Sequence, residues 1–180
     1  MKIFFAIILF SLSNTLFAAN GNERKYPVPR KTKNRLFYIQ RNHNSNTIVY
    51  DANFDARGIL LHENPVKVYW IRFEEQGQTM ELRTIEKILA YGVKCIPVNG
   101  KNNVYDVNLV ATDKRHFTLK QTSPFKAAVF MKINGKEAIL DHIYFYADES
   151  GLWPEVKYIE FFGSEPLTGK NLYEKLIIDR

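Results

Sequence analysis

Only one segment of this chain carries helical spacing; the rest of its periodicity alternates. RTIEKILAYG (residues 83–92) sets Ile85, Ile88 and Leu89 three and four apart, with Thr84 suited to cap the start and Gly92 the stop. Parallel strands need long crossovers, usually helical. One short helix cannot supply them, so the sheet must be mainly antiparallel and its links short.

About nine or ten runs read as strands, beginning with LFYIQR and TIVYDA and ending with VKYIEFF and LYEKLII. NHNSN fits a hairpin turn between the first two, its amides and hydroxyl bonding back to the turn backbone. TDKR reads as a later turn, and the Asn-Gly of NGK (134–136) is the strongest hairpin signal, because it suits a tight primed turn. The expectation is an all-β, mainly antiparallel fold with one short helix closing an end. A lipocalin-like up-and-down barrel, which removes exposed edges, is favoured because several strands set polar or aromatic residues opposite an apolar face, as a lined cavity would. A two-sheet sandwich is the alternative, and periodicity does not separate the two.

The first residues, MKIFFAIILFSLSNTLFAA, combine a basic start, an apolar stretch and small residues at Ala18 and Ala19. They predict a signal peptide over 1–19 and an exported protein, periplasmic or extracellular. The alternative is a retained anchor, but the apolar stretch is short for a spanning helix, so no transmembrane segment is expected after cleavage. A basic, proline-containing lead (20–34) follows, then one β-rich domain (35–180). Losing Lys2 with the signal leaves 24 basic against 19 acidic residues, a net charge of +5. That mild excess suits an anionic envelope surface or plain solubility, and without extensive aromatic-basic interleaving no nucleic-acid partner is expected. Cys95 is the only cysteine, so there is no intrachain disulfide, and GVKCIPV reads as a strand with a buried thiol.

Motifs for chemistry are missing from the sequence. The four histidines are scattered without metal-ligand spacing, no GxSxG elbow frames a serine, and TGK (168–170) lacks the rest of a phosphate loop. Neither a metal nor a cofactor is expected. Candidate ligand-binding residues are instead Arg41, Tyr50 and Asn53 around the first hairpin, Tyr69, Trp70 and Arg72 in the long third strand, and His142, Tyr144 and Tyr146 beside Trp153. Arginine would meet an anionic head group while the aromatic rings pack an apolar part.

Three blocks carry a family resemblance: RLFYIQRNHNSNTIVYDAN, NPVKVYWIRFEEQG with the AYGVKC that follows, and WPEVKYIEFFGSEPLTGKNLYEKL. Over roughly residues 35–176 the chain resembles a bacterial family of exported or envelope-associated proteins known as domain of unknown function 4833. The resemblance implies one compact exported domain and transfers no activity or residue role. Its blocks draw attention to Asn46, Tyr158, Glu160 and Lys170 besides the candidates above. The leading expectation is a non-catalytic envelope protein binding a lipid or other small amphipathic molecule. A structural or protein-interaction module with an envelope partner, and a hydrolase or isomerase with a dispersed active site, are the alternatives.

Overall fold

In a computed structural model, residues 26–151 and 154–178 are described. The signal segment, the start of the lead and Trp153 lie outside them. The chain forms β1 (Arg35–Arg41), β2 (Thr47–Ala52), β3 (Val66–Arg72) and β4 (Gln78–Glu81) as one antiparallel meander. One turn of helix, α1 (Thr84–Glu86), then runs straight into a wider π turn over Lys87–Tyr91. A second meander follows as β5 (Val93–Pro97), β6 (Val104–Leu109), β7 (Thr112–Ser123), β8 (Lys126–Ile133) and β9 (Lys136–Asp148). The hairpin of β10 (Glu155–Ser164) and β11 (Asn171–Ile177) completes it.

The fold is all-β, and among the described residues the helical structure is limited to segment 84–91 and a 3-10 turn at Phe73–Glu75. Its strands form one strongly curled sheet, a half-barrel, ordered β4-β3-β2-β1-β9-β8-β7-β6-β5. One pair, β1 with β9, is parallel, and it joins the two meanders side by side. β9 is long enough to use one edge twice, for β8 over Lys136–Ile139 and for β1 over His142–Phe145. Its other edge carries β10 from Ile139 to Asp148. Two strands leaving the same edge must splay, and that divergence wraps the sheet around its core.

Alternation sets the two faces. Phe37, Ile39, Ile48, Tyr50, Phe117, Leu119, Ile143 and Phe161 point inward and are buried. At β10, Gly163 passes so close to Ile139 that an added Cβ would sit 2.5 Å from its carbonyl oxygen, so no side chain fits there. On the outer face Tyr38, His142, Phe162 and Tyr173 occupy one row across β1, β9, β10 and β11. Their rings form a ladder, with centroids 4.9 Å apart for Tyr38–His142 and 4.2 Å for His142–Phe162. The described part of the lead covers the neighbouring row: Gln40 Nε2 donates to the Pro27 carbonyl at 3.0 Å, and Tyr26 packs on Tyr144.

Three local expectations need correction. The residues of TDKR lie within β7, and the chain reverses earlier, through Val110 and Ala111, so that Thr112 pairs with Leu109. β4 has no strand-like run in the sequence; the reversal at Gln76 and Gly77, both at positive φ, folds it onto β3. The helical face of Ile85, Ile88 and Leu89 points to solvent. Glu86 and Tyr91 hold the segment down in its place, through bonds to Trp70 and Tyr50. Among the described residues no helix is long and apolar enough to cross a membrane.

Candidate functional site

Arg41 is the last residue of β1 and belongs to its inward row, after Phe37 and Ile39. An arginine there ends the apolar floor of the half-barrel with a charge. Its guanidinium carbon lies 5.0 Å from the Trp70 ring centroid and 5.6 Å from that of Tyr91, so it rests against both rings, which themselves meet edge to face. Nη1 donates to the Tyr91 hydroxyl. Nε is buried without a hydrogen-bond partner, and among the described residues no carboxylate forms an ion pair with Arg41. The nearby carboxylate, Glu86, is already committed to Trp70 Nε1 at 3.2 Å and to the Arg83 backbone N–H at 2.8 Å.

Above this charge opens a cleft of about 400 Å³. Ile39, Phe145 and Val156 form one wall from the sheet, and Leu89, Val110 and Ala111 the other from the π turn and the β6–β7 turn. His43 Nδ1 meets the Glu149 carboxyl at the rim. Asn42 fixes the rim by imitating a strand: its side-chain amide donates to the Ala147 carbonyl and accepts from the Ala147 N–H, both at 2.8 Å. Beneath the cleft, Tyr50 stacks on Phe37 at 4.3 Å and its hydroxyl donates to the Tyr91 carbonyl at 2.8 Å. Burial pushes the Tyr50 phenol far above its ordinary value. Burial also raises that of Tyr91, against the pull of the Arg41 guanidinium.

Of the nine sequence candidates, Arg41, Tyr50 and Trp70 therefore meet. Asn53 and Tyr69 line a separate polar bowl, where the Asp51 carboxylate accepts from Arg35 Nε at 2.7 Å and from the Tyr69 hydroxyl at 2.8 Å. Arg72 pairs with Glu75 at the end of β3. His142, Tyr144 and Tyr146 are on the outer face, on the other side of the sheet from the cleft. There the hydrogen bond from His142 holds the Asp141 carboxyl below its usual range. A third concavity, beside Arg115, Lys120 and Lys132, has two of its cations matched, by Glu174 and Glu137. Among the described residues no three His, Cys, Asp or Glu side chains gather as metal ligands.

Tyr91 is the site residue the sequence reading passed over. It stands fifty positions from Arg41, and the one signal for it is the aromatic ring before Gly92 in the AYG block.

The chain belongs to the family described as Domain of unknown function (DUF4833), whose match spans residues 37–175. No match was found among curated proteins or among solved structures.

Proposed function

For this member of a family without an assigned activity, we propose non-catalytic binding of a small amphipathic anion, with its carboxylate or phosphate head on Arg41 and its apolar part in the cleft. The observation that carries the proposal is an arginine without an ion-pair partner among the described residues in the lining of a largely apolar cleft. Arg41 is half-buried and its Nε is cut off from water without a partner, a cost that an anion from outside the chain would relieve. Arginine's planar fork suits carboxylate and phosphate oxygens, and Nε is the donor left over. The signal-like residues 1–19 support an exported, envelope setting for this binding.

Calorimetric titration with octyl phosphate and decanoate, kept below their micelle concentrations, tests this, with decanol as the uncharged control. Both anions should bind, and Arg41→Gln should weaken them roughly tenfold to one hundredfold, the worth of one charge-assisted hydrogen bond. Decanol binding as tight as octyl phosphate, or unchanged affinity in Arg41→Gln, would refute the reading.

A further inference from the structure

Segment 84–91 is built the wrong way round for a soluble helix. Its apolar stripe is outermost, with Ile85 58 %, Ile88 63 % and Leu89 69 % exposed, while Glu86 and Tyr91 face the protein. Val110 adds to the patch, because its N–H donates to the Gly92 carbonyl at 3.0 Å and fixes the β6–β7 turn beside the segment. Single exposed apolar residues are ordinary, but four neighbours on two adjoining turns form a patch. Its charges have one sign: Arg83 and Lys87 are exposed around the stripe and Lys94 follows on β5, whereas Glu86 is turned inward. Among the described residues none of these three cations is in an ion pair. Leu89 and Val110 also line the cleft, so the patch is continuous with the binding site through these two side chains.

We infer that this rim lies on an anionic lipid surface and that the cleft takes its ligand from there. An apolar stripe flanked by lysine and arginine matches the chemistry of a bilayer interface, where chains accept Ile and Leu and head groups accept the cations. A ligand moving from the bilayer past Leu89 and Val110 to Arg41 would keep its apolar part out of water throughout. The inference rests on the anion-binding reading for its second half only.

Co-sedimentation of the chain from residue 20 onward, without the signal-like segment, tests it, comparing phosphatidylglycerol–phosphatidylethanolamine vesicles with phosphatidylcholine alone. The anionic vesicles should be preferred, and added salt should weaken that preference. Ile85→Ser/Ile88→Ser removes two exposed side chains that touch neither the core nor the cleft. It should lower partitioning about one hundredfold, with octyl phosphate binding unchanged. Lys87→Glu should abolish the preference for anionic vesicles. Arg41→Gln should show the reverse, with vesicle binding kept and octyl phosphate binding weakened, so the two readings fail separately. Wild-type binding to neither vesicle, or equal partitioning by the double-serine variant, overturns the inference. So does a wild-type dimer in light scattering that the same variant disperses, because the patch then belongs to a second copy.

Discussion

Replacing Tyr50 by Phe removes one oxygen and nothing else that packs. The ring is fully buried and stacked on Phe37, and Phe keeps that contact. The loss is the 2.8 Å bond from its hydroxyl to the Tyr91 carbonyl, which also leaves that carbonyl without its side-chain donor. A bond between neutral groups contributes about 1 kcal/mol net, and an acceptor left dry adds to the cost, so Tyr50→Phe should destabilise by about 1–2 kcal/mol. With a urea m-value of about 2 kcal/mol/M for a domain of this size, the midpoint should fall by roughly 0.5–1 M at unchanged m. The effect should also be local. Amides of residues 84–92 should lose exchange protection before those of β1 and β2, because this bond ties the π turn to the floor. A midpoint within about 0.1 M of wild type, well under the 1 kcal/mol of a typical bond, would refute the idea that Tyr50 anchors the turn.

Two further outcomes follow from packing and burial. Gly163→Ala pushes a methyl against the Ile139 carbonyl and should lower stability by about 2 kcal/mol or more, read by the same urea titration. Burial pushes the Cys95 thiol up to about 11 from an ordinary 9.0, so iodoacetamide should label it slowly at pH 8 and faster towards pH 11. The fold thus favours the neutral thiol. Its contribution to stability is fully present below the unfolded value and is lost as pH rises from about 9 through about 11, which Cys95→Ala should partly remove from the alkaline unfolding profile.

What the sequence made legible was short-range. The hairpin of β1 and β2 appears where NHNSN predicts it, with Asn44 Oδ1 accepting from the Asn46 N–H at 3.1 Å. The tight turn at NGK has Asn134 and Gly135 at φ 48° and 77°, as a primed turn requires. The parallel pairing of β1 with β9 has no local trace, because its partners lie a hundred positions apart and each strand looks alike from either edge. Turn placement failed at TDKR because polarity was taken for a turn, whereas the two-residue reversal at Val110 and Ala111 is apolar. Within the site, Arg41, Tyr50 and Trp70 were visible as an arginine and aromatics on neighbouring strands. Which face each strand turned inward was not, since both faces of β3 and β9 carry rings; that choice separates Trp70 from Tyr69 and from His142.

The inverted segment and the unpaired arginine belong to one arrangement. Tyr91 holds the π turn by two bonds, its carbonyl to Tyr50 and its hydroxyl to Arg41. Only the second competes with a ligand. On the anion-binding proposal, a carboxylate or phosphate oxygen takes Nε and can also exchange for the Tyr91 hydroxyl at Nη1; the guanidinium makes a charge-assisted bond to either partner, and the anion adds the ion pairing that the neutral phenol lacks. The balance favours the anion, and the freed phenol remains beside it as a donor. Because the Tyr50 bond survives the exchange, the turn stays on the floor and its Ile85, Ile88 and Leu89 stripe stays outward in both states. Binding and surface docking are therefore separable by mutation even though Tyr91 and Leu89 stand two residues apart on one turn.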